Sequence, residues 1–251
     1  MNVLYLQIIA MVTMFCDHFA EFMDNWVVLR CIGRFAFPIY AFLLAEGFRH
    51  MRDNKSRIEQ HLGGLLVLAI ISECAYDLLE VNAFTLSEFI NSQSVLVTLL
   101  LAFLGLMAID RWKQDHPLWM WSVIVLTSAA NYLLMSNYKL VGVLLVYAFY
   151  YYQNHILQKG FGIRLITLLV MIAVYLPFYH WARYNFCDAT VFLENLQGDN
   201  TWWYITHIGV AALLATYTGK LGPYSKGFKK IYRCFYPAHL FILGCIKQFI
   251  I

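Results

Sequence analysis

The sequence predicts an all-helical, polytopic integral membrane protein, a bundle of about nine transmembrane helices with a cytoplasmic N-terminus. Of its 251 residues, 61% are hydrophobic and only 13% are charged, and the mean hydropathy is +0.60. Such a composition is typical of membrane proteins rather than of soluble domains. Because apolar runs extend over the full length, residues 1–251 are predicted to form a single transmembrane domain. The net charge of +3 gives no indication of nucleic-acid binding.

The chain contains nine apolar stretches that approach the roughly 20 residues needed to cross a bilayer. The predicted helices lie at residues 3–23, 31–50, 60–80, 94–110, 118–135, 138–153, 164–182, 202–219 and 232–251. The first stretch lacks a preceding basic segment and a small-residue cleavage site, so we expect a retained helix rather than a signal peptide.

The distribution of Lys and Arg predicts the orientation of these helices. Most of the 18 basic residues follow predicted helices two, four, six and eight, whereas the alternate segments carry few. Because cytoplasmic loops are enriched in Lys and Arg, the even-numbered connections are predicted to be cytoplasmic. The protein is therefore predicted to be a multi-pass membrane protein with its N-terminus in the cytoplasm.

The first two helices carry ionisable side chains within apolar surroundings: Asp17 and His18 in helix one, and Arg34 and Glu46 in helix two. Such groups cost at least about 2–3 kcal/mol each on insertion scales, so they are usually paired and often functional. A histidine near a carboxylate is a candidate general base. Arg34 is a candidate ion-pair partner for Asp17 or for a carboxylate of helix three, although it could instead extend its charge to the membrane surface. Arg49 could neutralise Glu46. A purely structural interpretation, in which these groups only fix helix packing, remains open.

Further polar residues lie in helices three, eight and nine. Glu73 and Asp77 are four residues apart and share a helix face, so they need Arg34, a histidine or water. Paired carboxylates can also mark a proton path. His239 and His207 lie in apolar runs without a charged neighbour, which is more typical of packed histidines, and the sequence assigns neither a role.

The cytoplasmic segments 49–57 and 220–233 are rich in Lys and Arg. The positive-inside tendency is sufficient to explain them. A functional alternative is a phosphate-binding entrance for an anionic donor, because Lys and Arg bind phosphate well. The sequence leaves both interpretations open.

Several common site types lack their signatures. HExxH, a glycine-rich phosphate loop, GxSxG and CxxC are absent from the sequence, so metalloprotease, nucleotide-hydrolase and serine-hydrolase functions are not supported. The six cysteines show neither disulfide-framework nor zinc-site spacing. No metal is therefore predicted.

Four segments together resemble the TraX family, named after conjugation proteins linked to N-terminal acetylation of pilin. They are CDH at 16–18, GRFAFPIYAFLLAEGFRHMR at 33–52, SECAYD at 72–77 and FYPAHL at 235–240. The second is long and specific, and the similarity extends to both ends of the chain. The resemblance implies a transmembrane acyltransferase of the bacterial inner membrane that uses cytoplasmic acetyl-CoA as the donor substrate.

Carried onto this sequence, the resemblance implies a role for each matching residue. His18 becomes the candidate catalytic base, with Asp17 as its partner and Arg34 lining the site. The basic entrance would bind the CoA phosphates, and the residues assigned to donor binding are Glu46, Arg49, Arg52, Lys229 and Lys230. The residues assigned to the acceptor are Glu73, Asp77 and His239. The acceptor itself stays open between a peptide N-terminus, an envelope sugar and a lipid headgroup.

Two other functions remain open. The same carboxylates and histidines could serve a proton-coupled transporter, although such proteins often show pseudo-symmetric halves with broken helices, and none are visible here. A non-catalytic membrane partner of a secretion or conjugation apparatus is the third interpretation. An enzyme would lose turnover on loss of His18 while still folding. A scaffold would tolerate the loss of His18 with little effect beyond stability.

Overall fold

The computed structural model describes residues 1–22, 26–80, 93–112, 117–183, 201–223 and 226–250. The helices are α1 (Val3–Phe22), α2 (Val27–Gly33), α3 (Ala36–Met51), α4 (Lys55–Glu80), α5 (Val95–Trp112), α6 (Pro117–Leu133), α7 (Lys139–His155), α8 (Phe161–Arg183), α9 (Thr201–Ala215) and α10 (Lys226–Ile250). Within these ranges the only β-type pairing is an isolated bridge between Gln93 and Ser136. The predicted all-α fold class is confirmed for the described part of the chain.

Each predicted helix has a counterpart, but several boundaries differ. The second begins at Val27 rather than 31, the third at Lys55 rather than 60, and the ninth at Lys226 rather than 232. The eighth ends at Ala215 rather than 219. Hydropathy marks only the apolar part of a helix, whereas its backbone hydrogen bonds can continue through polar turns at either end.

Five helical stretches are long and apolar enough to cross a membrane. They are Val3–Ala20, Val27–Met51, Lys55–Leu79, Val95–Trp112 and Phe161–Tyr179. Shorter apolar helices cover Leu118–Leu133 and Ile205–Ala215. The protein is therefore a helical membrane protein. The total of nine spans and the cytoplasmic N-terminus stay predictions.

A tight turn at Arg34 and Phe35 separates α2 from α3. The amide of Phe35 donates to the carbonyl of Ile32 at 3.2 Å, a bond one residue shorter than in an α-helix. Pro38 explains the position of the turn, because proline has no N–H to donate to the Arg34 carbonyl and its ring crowds that carbonyl. The turn lies within the 25-residue apolar stretch Val27–Met51, so Arg34 lies inside that stretch rather than at its end.

The chain forms two compact units. Unit 1 comprises Met1–Leu43 and Tyr151–Lys229, and unit 2 comprises Leu44–Tyr150 and Lys230–Ile251. Within unit 1, α1 packs against α2, α2 against α9, and α9 against α8. Within unit 2, α5 packs against α4 and α6. The prediction of one domain over residues 1–251 stays a prediction.

In unit 1, three helix ends lie on one side. The Val3 amide donates to the Lys220 carbonyl at 2.9 Å, which joins the start of α1 to the segment after α9. Arg164, near the start of α8, donates to the Tyr217 carbonyl at 2.7 Å. The predicted topology places all three of these ends in the cytoplasm, so they are expected to share a side.

In unit 2, helix ends that are predicted to be cytoplasmic also lie on one side. Tyr150 at the end of α7 donates to Asp110 near the end of α5 at 2.5 Å, and Arg52 after α3 lies 3.9 Å from the same carboxylate. Near the other end of α4, Lys247 of α10 donates to the Leu79 carbonyl at 2.7 Å. Within each unit, the ends predicted to be cytoplasmic therefore lie together.

Cysteine labelling tests which side is cytoplasmic. We expect Leu134→Cys, in the turn after α6, to react with a membrane-impermeant thiol reagent in intact cells, because this turn is predicted to face the periplasm. Leu221→Cys, after α9, should react only after permeabilisation. Both side chains are exposed, at 42% and 61%.

The unmodified protein, labelled in parallel, gives the background from its own six cysteines. A reversed pattern, with Leu221→Cys labelled in intact cells and Leu134→Cys protected, would show that the N-terminus is outside.

Candidate active site

An ion group joins α1 to α2 inside unit 1. The Asp17 carboxylate lies between two guanidinium groups, with Oδ1 3.4 Å from Arg30 Nη1 and Oδ2 3.4 Å from Arg34 Nη1. The three side chains are 16%, 26% and 12% exposed, respectively. The predicted pair of Asp17 with Arg34 is present, so Arg34 does not simply extend towards the membrane surface. Arg30 is an additional partner.

Gly33 allows α1 and α2 to approach closely at this ion group. A Cβ atom at residue 33 would lie 2.4 Å from the Cβ and 2.7 Å from the Cα of Asp17. Neither distance is compatible with a side chain, and one of the two atoms belongs to the backbone. Small residues commonly permit such contacts between membrane helices. The position of the Asp17 carboxylate therefore depends on glycine at 33.

His18 is half-buried in the same turn of α1 as Asp17. Successive side chains on a helix point about 100° apart, so the two residues present different faces to their neighbours. His18 and the ion group both belong to unit 1. The three residues predicted to be catalytic thus lie in α1 and in the turn directly after α2.

The predicted donor-binding residues begin with a tightly bound carboxylate in α3. Glu46 is 2% exposed and accepts two hydrogen bonds from Arg49, from Nε at 3.0 Å and from Nη2 at 2.8 Å. His50 Nε2 lies 3.0 Å from Glu46 Oε1. The neutralisation of Glu46 by Arg49 is therefore confirmed, and Arg49 is held in place by a bidentate contact.

Arg52 belongs to a second polar group that the sequence did not reveal. Its partners Asp110 and Tyr150 come from the ends of α5 and α7, far along the chain. The hydrogen bond from Arg52 to the Tyr150 hydroxyl is the main cause that raises the pKa of Arg52 above its ordinary value. The guanidinium is therefore a permanent, positioned cation.

Lys229 and Lys230 lie in the first two turns of α10 and are exposed. They fall on either side of the division between the units, with Lys229 in unit 1 and Lys230 in unit 2. Further along α10, Arg233 lies close enough to His61 of α4 for its charge to act on that ring. Within unit 2, Arg233 of α10 thus contributes positive charge near His61 of α4.

Glu73 caps the N-terminus of α5. Its carboxylate accepts the Ser94 amide at 2.9 Å and the Ser94 hydroxyl at 2.5 Å. A carboxylate is favourable there because the first amides of a helix have no partner within the helix and the helix dipole is positive at this end. The partner is a serine rather than the cation, histidine or water expected from the sequence. Asp77, one turn further on, is 4% exposed.

The two buried histidines have different environments. His239 Nδ1 donates to the Phe235 carbonyl at 2.7 Å, so the neutral ring carries its lone pair on Nε2. Its ring packs edge-on against the ring of Tyr236. The Tyr236 hydroxyl lies close enough to Glu73 for the two groups to interact electrostatically. His207, in unit 1, packs against Tyr175 with ring centroids 6.3 Å apart.

The predicted site residues are therefore divided between the units. His18, Asp17, Arg34 and Lys229 belong to unit 1, and Glu46, Arg49, Arg52, Lys230, Glu73, Asp77 and His239 belong to unit 2. Across the described ranges, no group of three or more His, Cys, Asp or Glu side chains is arranged to hold a metal ion.

The helices and their internal ion groups define a polytopic membrane protein with charged side chains inside apolar segments. A family model described as "TraX protein" matches residues 4–247. The chain belongs to the TraX family, as the four sequence segments indicated.

One similar protein is the "Probable fimbrial assembly protein FimC, serogroup H1" of Dichelobacter nodosus. It is 28% identical over 260 aligned residues, which cover 98% of this chain and 95% of the relative. The two proteins therefore match over essentially their full lengths. No solved structure matches the chain.

Proposed function

We propose that this protein is an acetyltransferase embedded in the bacterial inner membrane. It moves an acetyl group from cytoplasmic acetyl-CoA to an amine or hydroxyl acceptor at or across the membrane. The observation that carries the proposal is the ion group next to His18, in which Asp17 lies between Arg30 and Arg34. Two cations and one anion leave excess positive charge, which suits the oxyanion formed when a thioester carbonyl is attacked.

In the proposed reaction, His18 acts as the general base. A neutral amine or hydroxyl gives its proton to His18 while its nitrogen or oxygen forms a bond to the acetyl carbonyl carbon. Arg34 stabilises the resulting oxyanion, and Asp17 holds Arg34 in position. The oxyanion then re-forms the carbonyl as the carbon–sulfur bond breaks, and the departing CoA thiolate takes from His18 the proton that the acceptor gave up, so that His18 is neutral again. The alternative route, attack by His18 itself, would leave an acetyl-histidine.

The residues of the basic segments are assigned to the donor. Arg52, Lys229 and Lys230 supply positive charge for the CoA phosphates. Arg49 is positioned for the same role by its bidentate contact with Glu46. The contacts that hold Arg49 and Arg52 support a binding role for these two side chains, because positioned side chains lose less conformational entropy when a ligand binds.

Glu73, Asp77 and His239 are assigned to the acceptor. The fimbrial assembly protein of D. nodosus supports a pilin-like peptide N-terminus as the first acceptor to test. An envelope sugar and a lipid headgroup are the next candidates. The Ser94 contacts hold the Glu73 carboxylate in a fixed position, which favours a binding role over the passage of protons along a transport path.

The proposal is tested with purified protein in detergent, by calorimetric binding of acetyl-CoA and by release of the CoA thiol. The wild type and His18→Ala should both bind acetyl-CoA, and His18→Ala should lose about 10²–10⁴-fold in thiol release because a general base has been removed. The matched control is His155→Ala, which removes an exposed histidine of α7 and should leave both values unchanged.

The remaining outcomes also distinguish the functions. Mass spectrometry that finds an acetylated His18 would establish the covalent route. If none of the three proteins binds acetyl-CoA, the acetyltransferase proposal is wrong, and proton-coupled transport through Glu73 and Asp77 becomes the next function to measure.

A further inference from the structure

A group of buried polar side chains lies in unit 1, where α7 ends, α8 begins and α9 ends. Tyr152 and Gln153 of α7 are 0% and 1% exposed. Both lie beside Phe42, whose ring centroid is 6.3 Å from that of Tyr152 and 5.2 Å from that of Tyr217. Arg164 of α8 reaches the same region through its bond to the Tyr217 carbonyl.

The hydrogen bonds of this group are incomplete. Gln153 Nε2 donates to the Phe42 carbonyl at 2.9 Å, and Arg164 Nη1 donates to the Tyr217 carbonyl at 2.7 Å. Counting every residue that the structure describes, however, Tyr152 Oη, Gln153 Oε1 and Arg164 Nε are buried and have no hydrogen-bond partner. Buried polar atoms nearly always have a hydrogen-bond partner. Three buried atoms without one in the same region therefore indicate that a bound polar group supplies the missing hydrogen bonds.

The charges around Arg164 indicate which kind of bound group would supply these hydrogen bonds. The Tyr152 hydroxyl lies within electrostatic reach of the Arg164 guanidinium. The described residues of unit 1 between Tyr151 and Lys229 include no Asp or Glu, so they supply no carboxylate to neutralise Arg164. A hydroxyl and a guanidinium N–H are both donors. Two donors, one of them cationic, match the oxygens of an anion.

We propose that Arg164 and Tyr152 form a phosphate-binding subsite. The Nη1 bond to the Tyr217 carbonyl fixes the guanidinium, so its Nε edge can donate to a phosphate oxygen, a contact in which Arg is more directional than Lys. Tyr152 donates a second hydrogen bond, and Gln153 Oε1 can accept one from a ligand hydroxyl. The phosphate can belong to a lipid headgroup or to a free phosphate compound.

The subsite goes beyond the acetyltransferase proposal, because none of its residues has a role in that reaction. It is tested with the wild type, Arg164→Gln, Tyr152→Phe and the control Lys159→Gln, which removes an exposed cation shortly before α8. One arm titrates inorganic phosphate into protein in phosphate-free maltoside detergent. The other compares retention of phosphatidylglycerol and phosphatidylcholine by native mass spectrometry.

Of inorganic phosphate and phosphatidylglycerol, one is expected to bind the wild type. We expect Arg164→Gln and Tyr152→Phe to weaken binding of that probe at least tenfold, and Lys159→Gln to change it less than twofold. Retention of phosphatidylglycerol without binding of inorganic phosphate identifies a lipid ligand. Binding of inorganic phosphate identifies a soluble one.

Tyr152→Phe keeps the test valid if Arg164→Gln fails to fold. It removes a hydroxyl that has no hydrogen-bond partner among the described residues, so the ligand-free Tm should stay the same or rise. The proposal is overturned if the wild type binds neither probe or if both variants bind like the wild type. It is also overturned if Tyr152→Phe lowers the ligand-free Tm without weakening binding, since the polar atoms would then hold a structural water. Acetyl-CoA turnover should be unaffected by Tyr152→Phe in every case.

Discussion

Gly33→Ala is expected to destabilise the protein strongly and to disrupt the ion group between α1 and α2. The added methyl group would lie 2.4 Å from the Asp17 Cβ and 2.7 Å from its Cα. Because backbone cannot yield as the end of a side chain can, the two helices must separate. Overpacking of this kind typically costs about 1–3 kcal/mol, and separation also lengthens the contacts of Asp17 with Arg30 and Arg34.

The measurement is thermal unfolding in detergent, together with the yield of monodisperse protein. Gly63→Ala is the matched control, because a Cβ at residue 63 of α4 meets nothing within 4 Å. In that open helical position alanine should be neutral or stabilising by up to about 1 kcal/mol. Equal melting temperatures for the two variants would show that the close approach of α1 and α2 is unimportant.

Asp17→Asn is expected to cost more than the loss of either of its partners. Without the carboxylate, Arg30 and Arg34 remain as two guanidinium charges without their common partner inside an apolar helix pair. Removal of one member of a buried ion pair typically costs about 3–5 kcal/mol. Arg30→Gln should be much milder, because it leaves Asp17 paired with Arg34, the more buried of the two arginines.

A double variant separates charge balance from other effects of the asparagine. Asp17→Asn with Arg34→Gln removes one charge of each sign, so part of the lost stability should return. The free energy of unfolding of all four proteins is measured in the same detergent. If Asp17→Asn is no less stable than Arg30→Gln, the carboxylate does not balance the two cations.

Hydropathy predicted the fold class and the approximate helix positions because apolar length is a local property of the sequence. It did not locate Arg30 correctly. The predicted helix began at residue 31, whereas the helix begins at Val27. Arg30 therefore lies inside α2, within reach of Asp17. The pair of Asp17 with Arg34 could be predicted, since two opposite charges on adjacent apolar helices have few other partners.

Contacts between distant segments could not be predicted in this way. Ser94 precedes α5 by one residue, and its contact with Glu73 depends on which helix N-terminus packs beside α4. Likewise, Asp110 and Tyr150 are 40 residues apart and meet only because α5 and α7 end on one side. No hydropathy pattern carries that information, which is set by packing.

The division of unit 1 along the chain has a consequence for its biosynthesis. Its two parts are separated by residues 44–150, so translation must finish that whole segment before α8 and α9 exist. At about 5–20 residues per second, this delay is on the order of ten seconds. During that time α1 and α2 reside in the bilayer without α8 and α9. The Asp17 carboxylate already has Arg30 and Arg34 as partners within this first pair of helices, so the newly inserted hairpin never has to expose it unpaired to lipid.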